Sequence, residues 1–123
     1  MINQEQAEEI ARQRVQTIPG LVKATLVRTR FYDPESESRA FRSASDPDGV
    51  MDRESIWPAH WGVVFEVATK NDMFLRRLHV TDEAERRKLV VKFTKIVMVN
   101  PRTGKAKFAP TFVSISVCDQ SEI

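Results

Sequence analysis

The stretch that most constrains the fold runs from Leu89 to Phe112: a β-rich run, the turn Asn100-Pro101-Arg102-Thr103-Gly104, and a second run. From Val90 to Val99 the chain is dense in Val, Ile, Phe and Thr, whose branched or aromatic side chains fit a pleated surface and crowd a helix. Strand side chains alternate, so Val91, Phe93, Val97 and Val99 share one face, with Lys95 as its one exception. Val90, Lys92, Thr94, Ile96 and Met98 share the other. Pro101 presets a turn dihedral, Asn100 offers its side chain to nearby backbone, and Gly104 tolerates positive φ where the chain reverses. The return run Lys105-Ala106-Lys107-Phe108 alternates again and stops at Pro110, which cannot donate to a ladder. Phe112, Val113, Ile115 and Val117 then form another short extended piece whose pairing partner the pattern does not specify.

Ahead of this hairpin, Asn3 followed three residues later by Gln6 reads as a capping box, with Ile2 placed to staple against Ala7. Ala7, Ile10, Ala11, Val15 and Ile18 recur at helical spacing, which predicts an amphipathic helix over 4–17, ended by Pro19-Gly20. Glu5, Glu8 and Glu9 read as a solvated face that favours the helix dipole. A first strand follows over 21–32, with Val22, Ala24 and Leu26 on one face and Thr25, Val27, Thr29 and Phe31 on the other. Trp61, Val63, Phe65 and Val67 alternate with Gly62, Val64, Glu66 and Ala68, the cleanest strand in the chain and the natural centre of a sheet. Residues 70–88 read as a connection with one helical turn or two.

One segment stands apart from this economy. Residues 33–56 hold Pro34, Pro47, Gly49 and repeated Ser and Asp with few large apolar groups, so a long polar loop is expected. Asp46-Pro47-Asp48-Gly49 with Asp52 and Glu54 lacks the EF-hand spacing and reads as an aspartate-rich turn.

At 123 residues, with 41% hydrophobic and 29% charged content, the chain fits a single folded domain spanning 1–123. Cys118 is its only cysteine, which excludes an intrachain disulfide and a cysteine-built zinc cage. The N-terminus has no basic-then-apolar leader pattern, and no apolar run approaches the ~18 residues of a membrane span. A cytoplasmic protein without membrane association is therefore expected. Net charge is +2, yet residues 70–107 carry 11 basic against 4 acidic groups. That imbalance opens a nucleic-acid reading through Arg76, Arg77, Arg86, Arg87, Lys88, Lys92, Lys105 and Lys107. The aromatic residues of the segment fall at core-facing positions, which argues against it.

No phosphate-cradling glycine loop, serine elbow or Cys/His nucleophile pattern occurs, and His60 and His79 stand apart without metal-ligand spacing. The expectation is a chain that is not an enzyme and uses neither metal nor cofactor. The order helix, strand, strand, hairpin, with the Trp-initiated strand Trp61 to Val67 and the later run Ile96 to Ala106 through Asn100-Pro101-Arg102-Thr103-Gly104, resembles small PepSY-like domains. It is also similar to the YrhB-like family of bacterial immunity proteins.

The fold that follows is α+β: the N-terminal helix packed on one face of a curved antiparallel sheet of about four strands, 21–32, 61–69, 89–99 and 105–109, in a cystatin/PepSY-like arrangement. The core is expected from Ile10, Val15, Leu26, Val63, Phe65, Val67, Phe93, Val97 and Phe108. What the resemblance implies is a non-catalytic domain that binds a protein partner, as an immunity or inhibitor protein does. Arg39, Phe41, Arg42 and Trp57, aromatic and arginine side chains of the kind that anchor interfaces, are the candidate partner-binding residues, together with an exposed sheet edge that also suits a dimer. A small-ligand pocket between sheet and helix is a further alternative.

Overall fold

The side-chain oxygen of Asn3 accepts from the Gln6 amide at 2.8 Å and the Gln6 side chain accepts from the Asn3 amide at 2.9 Å, so the capping box starts α1, Gln4–Val15. Thr17 turns its hydroxyl back onto the Arg14 carbonyl at 2.7 Å, and the helix stops about a turn before Pro19, two residues short of the sequence reading. In this computed structural model residues 1–32, 59–109 and 113–123 are described. They form α1, β1 (Leu21–Tyr32), β2 (His60–Thr69), α2 (Asp72–Arg77), α3 (Glu83–Lys88), β3 (Leu89–Val99), β4 (Ala106–Phe108), β5 (Val113–Asp119) and a closing 3-10 turn, Gln120–Glu122.

The fold is α+β, with α1 on one face of a curved, open antiparallel sheet in the order β1-β2-β3-β4. The fifth strand, whose pairing the sequence left open, lies beside β3 as well. β4 pairs with Val97 to Val99 and β5 with Leu89 to Thr94, so the two share one edge of β3 end to end. The 70–88 connection holds two short helices, each capped by a side chain: Asn71 for α2 and Asp82 for α3.

Ala7, Ala11 and Val15 of α1 are buried against Val63, Phe65, Val67, Val97 and Val99, the near face of the two central strands. Burying each of the valine and phenylalanine side chains contributes roughly 1.5–3 kcal/mol, while Ala7 and Ala11 let the helix approach the sheet closely, which makes this the main weld of helix to sheet. Ile10, Leu26, Phe93 and Phe108 border the cluster half-buried. On the far face Val64, Ala68, Val90 and Met98 are buried too, so β2 and β3 are apolar on both sides, as central strands are.

The β3–β4 turn is closed by its own residues. The Asn100 side chain accepts from the amides of Arg102 and Thr103, and the Asn100 amide donates to the Lys105 carbonyl at 2.8 Å. Lys105 is thereby spent on the turn and β4 begins one residue later than its alternation suggests. Gly104 sits at φ +74°, with Ile2 and Ile10 so near that a Cβ there would lie 3.0 Å from the Ile2 Cδ1. The Ile2 amide donates to the Pro101 carbonyl at 2.8 Å, docking the N-terminus on this turn.

Candidate partner-binding surface

Arg39, Phe41, Arg42 and Trp57, with the rest of the 33–56 loop and its aspartate-rich turn, lie outside the described residues. The sheet edge, the other part of the expectation, lies within the described residues. That edge is β1: twelve residues long and, among the described residues, paired with β2 alone.

Two irregularities decide what this edge presents. Leu21 pairs with Thr69 and Lys23 with Ala68, leaving Val22 as an extra residue; Leu26 pairs with Phe65 and Arg28 with Val64, leaving Val27 as another. Each bulge moves the alternation on by one. A strict two-residue period places Val22 with Ala24 and Leu26, and Val27 with Phe31; instead Val22 and Val27 are exposed, at 38% and 57%. The paired residues sort cleanly. Leu21, Ala24, Leu26, Thr29 and Phe31 stand opposite near-face residues of β2, while Lys23, Thr25, Arg28, Arg30 and Tyr32 stand opposite its far-face residues. All three charges of β1 are basic, and all three lie on the far face.

The far face continues in this sense. Lys92 of β3 and Lys107 of β4 are on it by register, and the strand residues there include one carboxylate, Glu66. Glu66 accepts from the Lys92 ammonium at 2.7 Å. This bond, with the Glu66 charge behind it, raises the Lys92 pKa. At one end of the face the Tyr32 ring stacks on His60, with centroids 5.0 Å apart, and the Arg30 guanidinium lies 5.1 Å from the Tyr32 centroid. Gly62 makes room for that ring, since a Cβ there would fall 2.4 Å from Tyr32 Cε2. At the other end a hollow of about 200 Å³ is bounded by Lys23, Thr25, Lys92 and the C-terminal Glu122 and Ile123.

On the near face the edge opens into a cleft of about 430 Å³ between α1 and β1. Val15, Ala24, Leu26 and Phe65 supply its apolar part, and Arg12, Gln16 and Thr25 its polar part. The cleft is partly open rather than enclosed, a shape that suits an inserted side chain better than a sequestered small molecule. Further along, two cations lie near the Phe108 ring, Arg14 at 5.1 Å and Lys95 at 4.9 Å from its centroid. The lysine that interrupts the apolar face of β3 thus has an aromatic partner.

Much of the charge in the 70–107 segment is engaged within the chain. Asp72 joins Arg76 at 2.9 Å and Arg86 at 2.7 Å, Glu83 joins Arg87 at 3.0 Å, and Arg86 also donates to the carbonyls of Val80 and Thr81. The Lys70 ammonium bonds the carbonyls of Arg87 and Leu89 where α3 runs into β3. Among the described residues no group of three or more His, Cys, Asp or Glu side chains is placed to hold a metal ion, and no helix is long and apolar enough to cross a membrane.

Sequence reasoning passed over Lys23 and the Leu26 cleft, and a strict alternation sets Arg28 and Arg30 on the face of Ala24 and Leu26, as interruptions where the strand leaves the core; the bulge at Val27 puts them on the opposite face instead. Nothing in the sequence marks the extra residues; the mismatch shows only once the twelve residues of β1 are paired end to end with the ten of β2. Compared with protein families, with curated proteins and with solved structures, the chain finds no match.

Proposed function

We propose that this chain is a non-catalytic protein-interaction domain that receives an extended segment of a partner along β1, in the manner of an immunity or inhibitor-type protein. The observation that carries this reading is the length of β1 left with one neighbour among the described residues, beside an apolar-floored cleft at its centre. A strand with one neighbour keeps a row of amides and carbonyls for a further chain, and alternate side chains of that chain find pockets or charges on either face. The bulges at Val22 and Val27 limit the usable edge to two uninterrupted runs, 23–26 and 28–32, which favours a short recognition segment over indiscriminate sheet growth.

The test is affinity purification from the source cell followed by amide hydrogen exchange on the recovered complex. Amides of β1 that point away from β2 face no further strand among the described residues and are expected to exchange more slowly in the complex than in the isolated protein. Protection confined to other strands, with β1 unchanged, would remove the edge from the partner surface.

A further inference from the structure

We infer that the segment received by β1 is one in which acidic residues alternate with apolar ones, an inference that rests on the edge reading above. β1 contains no carboxylate, and the bulge at Val27 brings Arg28 and Arg30 to the same face as Lys23. An added strand lies about 4.8 Å from β1 and alternates in step with it within each of the two runs, so every second side chain stands beside Lys23 in the run 23–26, or beside Arg28 and Arg30 in the run 28–32. Its other side chains stand beside Ala24 and Leu26 on the near face, where the cleft of about 430 Å³ reaches in to Val15 and Phe65. The two faces therefore ask for opposite chemistry at successive positions, acidic on one side and apolar on the other. Glu66, the carboxylate nearest this row on β2, is held by Lys92 on β3.

Charge also selects against a second copy of this chain as the occupant. Two β1 strands set antiparallel would bring Lys23, Arg28 and Arg30 of both copies onto one face with no carboxylate in either strand, and like charges across a strand pair destabilise it.

The experiment titrates the full chain with three short peptides of equal length, alternating Glu/Leu, Lys/Leu and Thr/Leu, and follows backbone amide shifts. The Glu/Leu peptide is expected to shift residues 21–32 and to bind about tenfold tighter than the Lys/Leu peptide at low salt. In the double variant Lys23→Glu, Arg28→Glu that order should reverse; both side chains are exposed, and the unperturbed amide spectrum of β2 and β3 verifies the fold. Equal binding of all three peptides along β1 overturns the acidic inference and leaves the edge reading standing. Shifts absent from 21–32 with every peptide overturn both. A dimer in the absence of peptide, with β1 amides protected, names a second copy as the occupant and overturns the inference, as does a single-stranded oligonucleotide that displaces the Glu/Leu peptide from β1.

Discussion

The hydroxyl of Thr29 donates to the carboxylate of Glu8 at 2.7 Å across 21 positions of sequence, tying the first half of α1 to the open edge strand. The bulge at Val27 makes this possible, because it is what turns Thr29 toward the helix.

The bond makes stability depend on pH in a definite direction. The Thr29 hydroxyl first, then the Gln4 amide and more weakly the Arg12 charge, hold the Glu8 carboxyl below its ordinary value of 4.5. A carboxylate whose pKa is lower folded than unfolded stabilises the fold fully above the unfolded value, and that contribution is lost as pH falls through the folded one. Urea unfolding at pH 7 is expected to find Glu8→Gln and Thr29→Val less stable than the parent. At pH 3 the gap between Glu8→Gln and the parent should narrow. A gap that is constant across this range would show that the carboxylate charge takes no part.

Trp61 offers a second, pH-independent tie. Its indole N–H donates to the Ile2 carbonyl at 3.1 Å, while the Phe31 ring meets it edge-on with centroids 5.0 Å apart. Trp61→Phe keeps an aromatic body in place and removes the donor, leaving the Ile2 carbonyl without this partner. The expected loss is about 1 kcal/mol in chemical denaturation, with no change in the slope against denaturant. A loss several times larger would assign the residue's weight to packing instead.

How much of this was legible in the sequence depends on which interaction each element needed. The capping box at Asn3 and Gln6, the β2 alternation and the Asn100 to Gly104 turn are local patterns, and the structure contains each of them. The core positions Val15, Val63, Phe65, Val67 and Val97 followed from periodicity and are buried. What periodicity cannot supply is an insertion of one residue. Val22 and Val27 carry no mark that distinguishes a bulge from a strand position, yet each decides which face the following residues take. The pairing of β5 was illegible for a related reason: β3 offers its free edge to two segments, and only their relative lengths assign Val97 to Val99 to one and Leu89 to Thr94 to the other.

Two glycines should respond differently to the same substitution. At Gly20, φ is +70° and a Cβ would lie 2.5 Å from the Lys70 carbonyl oxygen, whose own amide donates to the Gly20 carbonyl. Backbone on both sides leaves no easy relief, so Gly20→Ala is expected to cost about 1–3 kcal/mol. At Gly62 the obstacle is the edge of the Tyr32 ring, the far end of a side chain on the outermost strand. Gly62→Ala should displace that ring from His60 at a smaller cost. The ring-current shifts of His60 measured by NMR would change, while the thermal midpoint would fall less than for Gly20→Ala.

The last prediction concerns the end of α2. After Leu78 the chain takes φ +64° at His79, the one non-glycine residue with positive φ among the described residues. The His79 amide donates to the Arg76 carbonyl at 3.0 Å and the Val80 amide to the Leu75 carbonyl at 3.1 Å. That pair of bonds defines a Schellman turn, whose left-handed position glycine ordinarily fills because any Cβ crowds the following carbonyl. Leu75 is buried and Val80 half-buried, the two positions whose apolar contact usually accompanies the motif. The exposed imidazole therefore occupies a position where its backbone costs energy. His79→Gly should stabilise the protein by roughly 0.5–1 kcal/mol, seen as a higher urea midpoint at unchanged slope, while His79→Ala, which keeps the Cβ, should give no such gain. Glycine also adds freedom to the unfolded chain, which works against the gain and sets its upper limit. A midpoint that falls with glycine at this position would mean that the histidine side chain contributes more than its backbone costs.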